Sequence, residues 1–306
     1  NMRAYIPNKK GEQFDEASDT YDTIDWLVKN VDNNNGNVGM WGISYPGFYS
    51  VYSLIDSHEA LKAVSPQAGI SDFFFDDFHH NGAYLLSYWR ATALFGYQKD
   101  APTTESWYEL PELGTQDQYQ FFLDHTPLST LDEYYKEDNE FWQQLKDHPN
   151  YDEFWQSRGI IQHLDDVKPA VMIVGGLFDA EDLYGPFNEY RKIEKSSNTY
   201  NILVYGPWSH GDWARESGRQ SVGNVYFGDS LSTRFQQDYE TKFFNHFLKQ
   251  NGKGSLDLAE AHIYDTGKRE WTDYGQWPPK NTVTKTFYLG DDQELTTQPT
   301  DTKQEF

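Results

Sequence analysis

The stretch Asn37–Phe48, with the sequence NVGMWGISYPGF, limits the possible folds of this chain more than any other. Residues 38–41 predict a short buried strand, because they are mostly hydrophobic and follow a loop rich in Asn and Gly. Gly42 and Gly47 flank Ser44 where this strand gives way to a helix. This is the setting of a nucleophile elbow, in which a strained turn lifts the hydroxyl clear of the sheet. A glycine-rich turn without a catalytic role is the alternative, because the pattern Gly-x-Ser-x-x-Gly is one residue longer than Gly-x-Ser-x-Gly.

Alternating helices and strands around the elbow predict an α/β fold with a parallel sheet. A helix is expected from about Asp15, where acidic residues begin an amphipathic pattern. Pro66 is expected to end the strand that follows the elbow helix. Buried strands are predicted at residues 61–64, 170–175 and 200–205.

The composition changes between residues 71 and 166. Aromatic and acidic residues dominate there, several segments have helical patterns, and no strand stands out. This stretch is predicted to form a helical cap over the carboxyl edge of the sheet. A long amphipathic helix is expected at about 230–250. Strands predicted at 261–264 and 285–289 would begin a second, all-β unit.

Three reactive residues follow three predicted strands, in the order Ser44, Asp179 and His210. Functional groups of doubly wound sheets gather beyond the carboxyl ends of the strands. A serine needs a histidine to take its proton, and that histidine needs a carboxylate to fix its tautomer. Taken alone, Asp179 could cap a helix and His210 could be a loop residue with no task. Their joint order is the one expected of α/β-hydrolases, so a catalytic triad is predicted.

Charge and composition exclude several classes of partner. With 25 Lys and Arg against 48 Asp and Glu, the net charge is −23, which argues against nucleic acids and anionic membranes. A small cationic substrate is compatible with this charge. The chain has no Cys, which excludes disulfides and thiolate metal sites. No apolar run approaches the roughly 20 residues of a membrane-spanning helix.

Three motifs together resemble one group of serine hydrolases: GISYPG at 42–47, GGLFD at 175–179 and GPWSH at 206–210. The group contains cocaine esterase, α-amino-acid ester hydrolases and glutaryl-7-ACA acylase-like enzymes, and is related to X-Pro dipeptidyl peptidases. The resemblance extends over about residues 15–289. It implies an α/β-hydrolase fold with a helical cap insertion and a C-terminal β jelly roll. Compared with this group, the N-terminal strands are missing and the jelly roll is cut short, so a fragment of a longer protein is expected.

The resemblance also assigns roles to the three reactive residues. Ser44 would be the acyl-forming nucleophile, His210 the general base and Asp179 the residue that orients it. The backbone N–H of Tyr45 would be one donor of the oxyanion hole. The family's second donor is a tyrosine hydroxyl from an upstream loop, but Tyr5 does not lie in a recognisable version of that loop. No cofactor is expected.

With this resemblance the chain divides into four predicted regions. They are a first segment of the α/β-hydrolase core (1–70), the helical cap (71–166), a second segment of the α/β-hydrolase core (167–252) and the start of the jelly-roll domain (253–306).

Acidic residues near the predicted triad distinguish subfamilies. In α-amino-acid ester hydrolases three carboxylates hold the α-ammonium group of the substrate. By resemblance Glu181 and Asp182 match two of them, Asp77 is the third, and Asp76 is the fallback. Converging carboxylates would attract a cation and orient the acyl carbonyl. In the alternative interpretation, Glu181 and Asp182 only favour the start of a helix.

The adjacent residues His79 and His80 suggest a metal site, but no third ligand is spaced with them. No metal is therefore expected.

The leading hypothesis is a serine hydrolase that cleaves esters or amides of small acyl groups through an acyl-enzyme, with a preference for α-amino acyl substrates. One alternative is a cocaine-esterase-like carboxylesterase or X-Pro dipeptidyl peptidase without carboxylate-cluster selectivity. Another is a non-catalytic fragment or carbohydrate-binding module. Family resemblance implies export from the cytoplasm and homo-oligomers.

Overall fold

The computed structural model describes residues 2–135, 139–215, 219–249, 253–290 and 294–299 of the 306-residue chain. Its strands are β1 (Val38–Ile43), β2 (Leu61–Gln67), β3 (His79–His80), β4 (Ala83–Tyr84), β5 (Ala170–Gly176), β6 (Asn201–Gly206), β7 (Arg219–Val222), β8 (Val225–Asp229), β9 (Ala261–Asp265), β10 (Glu270–Tyr274), β11 (Tyr288–Leu289) and β12 (Leu295–Thr296).

The helices flank the sheet and fill the segment predicted as a cap. They are α1 (Glu16–Asn30), α2 (Tyr45–Tyr52), α3 (Tyr88–Gly96), α4 (Gln118–Asp124), α5 (Glu140–Asp147), α6 (Glu153–Gln156), α7 (Tyr184–Ser196), α8 (Leu231–Arg234) and α9 (Thr241–Phe244). The segment 231–249 is continuously helical, because π-helical turns at Phe235–Glu240 and Asn245–Lys249 join and extend α8 and α9. No helix of the described residues is both long and apolar enough to cross a bilayer.

The central sheet has six strands in the order β1-β2-β5-β6-β9-β10. The first five run parallel, and β10 pairs antiparallel with β9. Strands β5 and β6 are buried along their whole length because both faces of the sheet are covered. This architecture is a partial α/β-hydrolase fold, as the sequence predicted.

Two hydrophobic cores lie on opposite faces of the sheet. On one face, alternate β5 residues such as Val171 pack with Phe48 of α2 and Ile193 of α7. On the other face, Met172 packs with Phe235 and Phe243 of the 231–249 helical segment. The alternation of neighbouring β5 residues between the cores follows from the two-residue period of a strand.

Strand β1 was expected to be buried, but it is the edge strand of the sheet. Trp41 is 54% exposed, since β1 has a partner on only one side among the described residues. Strand β2 also continues through Pro66, which was predicted to end it. The register with β5 passes from Val64–Val171 directly to Gln67–Val174, so Pro66 has no partner there. Its missing N–H is therefore tolerated.

Strands β9 and β10 belong to the central sheet, so the prediction that 261–264 begins a separate β unit is wrong. Residues 261–263 of β9 pair in parallel with residues 203–205 of β6. A short apolar strand after a helix has the same pattern in either location, and only pairing separates the two cases. The short pair β11–β12 lies beyond this sheet. The jelly roll stays a prediction, and residues 300–306 lie outside the described residues.

The segment predicted as a cap contains α3 to α6, and also one feature that the sequence did not indicate. The two-residue strands β3 and β4 form a small hairpin, with His79 opposite Tyr84. Its strands are too short to produce a recognisable alternating pattern.

Candidate active site

Ser44 occupies a strained turn between β1 and α2. Its backbone has φ 66° and ψ −125°, a conformation that costs a non-glycine residue about 1–3 kcal/mol. Its N–H donates to the carbonyl oxygen of Gln67 at 3.0 Å, and its own carbonyl oxygen accepts from Phe48 N–H at 2.9 Å. These bonds fix the turn to β2 and to α2. The geometry is that of a nucleophile elbow.

The glycines on both sides of Ser44 are required by the close approach of neighbouring backbone. A Cβ on Gly42 would lie 2.4 Å from the Pro46 carbonyl oxygen. A Cβ on Gly47 would lie 2.6 Å from the Gln67 carbonyl oxygen. Both contacts are with backbone, so no rotation of a side chain would relieve them.

Gly47→Ala is expected to lower the free energy of unfolding by about 1–3 kcal/mol, because the added methyl overlaps the backbone of β2. Urea denaturation followed by circular dichroism measures the change. Gly275→Ala is the matched control, since no atom lies within 4 Å of the position that its Cβ would take and its φ is not positive. Equal stability of the two variants would contradict tight packing at the elbow.

Asp179 and His210 follow the central strands β5 and β6 and form a hydrogen-bonded pair. Asp179 Oδ2 lies 2.9 Å from His210 Nδ1. Asp179 Oδ1 accepts the backbone N–H groups of Glu181 at 2.9 Å and Asp182 at 3.2 Å. Because both oxygens have partners, the buried carboxylate is held in one orientation. With Nδ1 as the donor to Asp179, His210 Nε2 is the nitrogen free to accept a proton.

Four carboxylates surround the imidazole of His210. Burial alone lowers its pKa, but the Asp179 hydrogen bond and the charges of Asp179, Glu181 and Asp77 outweigh burial and raise the pKa. The fourth carboxylate belongs to Asp182, whose Oδ2 lies 3.9 Å from Nδ1. The acidic environment thus favours the protonated imidazolium.

Among the described residues, Ser44 and His210 are not hydrogen-bonded to each other. His210 Nε2 lies 3.6 Å from Glu181 Oε2, and Glu181 lines the same cavity as Ser44. The structure pairs Asp179 with His210. Ser44 lines the cavity, whereas Asp179 and His210 do not. The loop of His210 runs next to the serine turn, because a Cβ on Gly211 would lie 3.6 Å from Ile43 Cγ2. Catalytic hydrogen bonds are often long in empty sites and tighten when substrate binds.

Gln67 connects the serine turn to the loop that carries His210. Its backbone carbonyl accepts from Ser44 N–H, and its Oε1 accepts from Trp213 Nε1 at 2.8 Å. Its Nε2 donates to Glu240 Oε1 at 2.7 Å. One buried residue at the end of β2 thus contacts both loops, the serine turn through its backbone and the histidine loop through its side chain.

A cavity of about 760 Å³ opens above Ser44. Its polar groups include Ser44, Asp77, Tyr88 and Glu181, of which Asp77 and Glu181 both lie beside Tyr88. The remaining wall is largely apolar and includes Tyr49, Ile70, Ala91, Leu94, Phe95 and Trp107. Such a cavity suits a small ligand with one charged end and an apolar body.

Tyr45 is the first residue of α2 and also lines the cavity. Backbone N–H groups in the first turn of a helix have no acceptor within the helix. The next residue, Pro46, has no N–H, so the Tyr45 N–H is the donor next to the serine. Its hydroxyl is engaged elsewhere, because it accepts from Met2 N–H at 3.1 Å.

Asp77 and Asp182 form a buried pair of carboxyl groups. Burial raises the pKa of Asp77 to about 6, although hydrogen bonds from Asp182 and Tyr88 partly oppose this. The pKa of Asp182 is raised well above its usual range by burial and by the charges of Asp77 and Asp76. Of these two buried groups, Asp182 is the one whose environment favours the protonated form more strongly.

Asp76 lies on the same turn but has a different environment from Asp77. Its Oδ1 accepts from Gly185 N–H at 2.7 Å, and its Oδ2 accepts from Ser71 N–H at 3.0 Å and Asp72 N–H at 3.3 Å. Asp77 lines the cavity and Asp76 does not. Both oxygens of Asp76 already accept hydrogen bonds from the backbone, so Asp77 is the better candidate for contact with a ligand.

Tyr88 is a polar cavity residue that the sequence did not indicate. It begins α3 in the cap, and its hydroxyl donates to Glu181 Oε2 at 2.5 Å. It belongs to no motif, and the segment around it contains many other aromatic residues. Only the folding of the cap over β5 brings it to Glu181.

Glu181, Asp182 and His210 have ligand atoms within 4.8 Å of one another, so these three residues could hold a metal ion. The same atoms already face Asp179, Asp77 and Tyr88. We retain the expectation that no metal binds.

The two adjacent histidines have structural contacts. His79 is buried and stacks on Phe74, with ring centroids 4.1 Å apart, and burial lowers its pKa to about 4. His80 Nε2 lies 3.1 Å from the carbonyl oxygen of Asp76. The two residues thus support the turn that carries Asp77.

Comparisons with known proteins agree with this architecture. The chain is 25% identical to cocaine esterase from Rhodococcus sp. (strain MB1 Bresler) over 285 residues, which are 90% of this chain and 48% of that protein. An aminopeptidase structure from the marine sediment archaeon Thaumarchaeota archaeon is 31% identical, with a TM-score of 0.80 over 99% of this chain and 50% of that one. The structure of an α-amino acid ester hydrolase is 30% identical, with a TM-score of 0.85 over 97% and 49%.

The chain spans about half the length of these relatives. The profile of the X-Pro dipeptidyl-peptidase (S15) family matches residues 9–212, which include the elbow, Asp179 and His210. This match covers well over half of the chain. The chain therefore belongs to the X-Pro dipeptidyl-peptidase (S15) family of hydrolases.

Proposed function

We propose that this protein is a serine hydrolase that cleaves esters or amides of small α-amino acyl groups through an acyl-enzyme at Ser44. The observation that carries the proposal is the Asp179–His210 pair, on a loop that runs next to the strained turn of Ser44. A free α-amino group is the preferred feature of the substrate because of the acidic cavity wall.

The reaction follows from the positions of these groups. Ser44 Oγ attacks the acyl carbonyl carbon and transfers its proton to His210 Nε2, while the Tyr45 N–H donates to the developing oxyanion. Asp179 holds the imidazole through Nδ1 and stabilises its positive charge. The bond to the leaving group then breaks, and the leaving group takes the proton from Nε2. Water deprotonated by His210 releases the acid and restores Ser44.

The carboxylates favour a cationic acyl group. Asp77 and Glu181 line the cavity with Ser44, and Asp182 is buried next to Asp77. An α-ammonium group bound there would lie one carbon from the carbonyl that Ser44 attacks. The apolar wall would then hold the side chain of the acyl group.

The leaving group is an alcohol or an amine under this proposal. The same ammonium site would hold an amino ester or the N-terminal residue of a peptide. The names of the relatives support both, since they include an ester hydrolase and an aminopeptidase. Comparing amino esters with dipeptides of the same acyl residue separates them.

Asp77→Asn is expected to raise KM for an α-amino ester by about tenfold to a hundredfold and to leave the N-acetylated ester nearly unchanged. The change removes a negative charge but keeps the size of the side chain. Steady-state kinetics on the two esters is the measurement. In the unmodified protein, equal rates for the two esters would contradict the proposed preference.

The same substitution is expected to stabilise the protein at pH 7. The pKa of Asp77 is about 6 in the folded protein, which is above its value in the unfolded chain. The protonated carboxyl therefore favours the folded state at low pH, and this stabilisation is lost as the pH rises through 6. Asparagine does not ionise, so we expect the free energy of unfolding at pH 7 to rise by up to about 3 kcal/mol. Below pH 4 the gain should disappear. A variant that is less stable at pH 7 would contradict the raised pKa.

A further inference from the structure

Glu181 lies between two competing partners. Its Oε2 is 2.5 Å from the Tyr88 hydroxyl and 3.6 Å from His210 Nε2. Nε2 is the nitrogen that has to receive the serine proton under the proposed function. The partner of Glu181 therefore affects the basicity of His210 and also the negative charge that Glu181 presents to a substrate in the cavity.

Glu181 is the carboxylate with the greatest freedom to move. Its side chain is 38% exposed, whereas Asp77 and Asp182 are buried. It is also attached through two methylene groups, one more than an aspartate. Without a hydrogen bond on the cavity side, it could close the short gap to a protonated imidazole.

Tyr88 is a rigid donor for this carboxylate. Its ring packs edge-on against Phe78, with centroids 5.4 Å apart, and its backbone N–H donates to the Leu85 carbonyl oxygen at 2.9 Å. Burial and the charges of Asp77 and Asp182 raise the pKa of its hydroxyl. The hydroxyl therefore stays protonated and remains a donor at working pH.

We propose that Tyr88 is a positioning residue whose hydroxyl holds Glu181 on the cavity side, available to a cationic substrate, and keeps it from moving closer to His210 Nε2 than the observed 3.6 Å. This inference rests on the proposed function. An ion pair between Glu181 and the imidazolium would have two effects. It would keep the base protonated, and it would remove one negative charge from the site for the α-ammonium group.

The pKa of His210, which sets the acidic limb of the kcat/KM profile, depends on the charged groups that face its imidazole. Among the described residues they are Asp179 at 2.9 Å, Glu181 at 3.6 Å, Asp182 at 3.9 Å and the more distant charge of Asp77. Asp179 and Asp182 are buried, and the hydrogen bonds of Asp179 do not involve Tyr88, whereas Asp77 also faces the Tyr88 hydroxyl. Removing the Tyr88 hydroxyl releases Glu181 towards the imidazole.

The test is Tyr88→Phe, which removes one oxygen atom and keeps the ring. KM for an α-amino ester is expected to rise by about tenfold, with KM for its N-acetylated form unchanged. The acidic limb of kcat/KM for the N-acetylated ester should move to higher pH by about 0.5–1 unit, because Glu181 approaches the imidazolium and stabilises it more strongly than before. Equal losses for both esters, or an unmoved acidic limb, would overturn the proposal.

Tyr151→Phe is the matched control. Its hydroxyl donates to Asp72 at 2.6 Å in the same cap, and neither residue lines the cavity. It should change neither the selectivity nor the pH profile.

The Glu181→Gln variant gives a second measurement, which can be made even if the Tyr88→Phe variant does not fold. Loss of the charge should move the acidic limb to lower pH, and adding Tyr88→Phe to this variant should then not move the limb to higher pH. Additive effects of the two substitutions would overturn the proposal. The proposed function fails separately, if the unmodified protein does not distinguish the two esters.

Discussion

Ser44→Ala is expected to abolish covalent labelling by a fluorophosphonate probe and to lower kcat/KM by about four to six orders of magnitude. Removing the nucleophile of a serine hydrolase leaves only the residual catalysis of the remaining groups, and in subtilisin the loss is about 10⁶ in kcat. Ser44 is the serine at the strained turn between β1 and α2. Intact-mass spectrometry should show one adduct on the unmodified chain and none on the variant.

Ser87→Ala is the matched control for the labelling. Ser87 lies on the same cavity but precedes a cap helix instead of occupying a strained turn. Its variant should retain the adduct. An adduct that persists in Ser44→Ala, or a folded unmodified chain that is not labelled, would contradict the proposed role of Ser44.

Asp179→Asn is expected to lower kcat by about 10⁴, as the corresponding change does in trypsin. The asparagine Oδ1 can still accept from the backbone N–H groups of Glu181 and Asp182, so the local turn should survive. The amide nitrogen, however, would replace the oxygen that faces His210 Nδ1. The imidazole would then carry its proton on Nε2, which could not accept the proton of Ser44.

Asp265→Asn is the matched control for this substitution. Asp265 ends β9, and its Oδ1 also accepts two backbone N–H groups, from Gly267 at 3.0 Å and Lys268 at 2.9 Å, but no histidine contacts it among the described residues. Both variants should unfold at similar denaturant concentrations, and only Asp179→Asn should lose activity. Full activity of Asp179→Asn would show that Asp179 does not set the tautomer.

The sequence predicted the elements that depend on local patterns. Strands β5 and β6 were recognisable because strands buried on both faces are continuous apolar runs, and reactive residues placed directly after them meet at one edge of the sheet. The choice between Asp76 and Asp77 could not be made from the sequence. It depends on which of the two carboxylates accepts hydrogen bonds from the backbone N–H groups of Ser71 and Gly185, and in the structure this is Asp76.

Features that depend on pairing between distant segments were missed. The edge position of β1 and the place of β9 in the sheet follow from strand order, which hydrophobic pattern does not encode. Tyr88 reaches Glu181 only after the cap has folded over β5, across 93 positions of sequence. The roles of the triad and the carboxylates remain predictions that the experiments above test.

The position of β2 between the strands that carry the reactive residues has a consequence for their alignment. Ser44 follows β1, whereas Asp179 and His210 follow β5 and β6, and β2 lies between β1 and β5. At the end of β2, the Gln67 carbonyl oxygen accepts from Ser44 N–H, and the Gln67 side chain accepts from Trp213, three residues after His210. A slip in the register of β2 would therefore move the serine relative to the loop of the histidine. Correct pairing of a strand that carries no reactive residue is thus a condition for the geometry of the site.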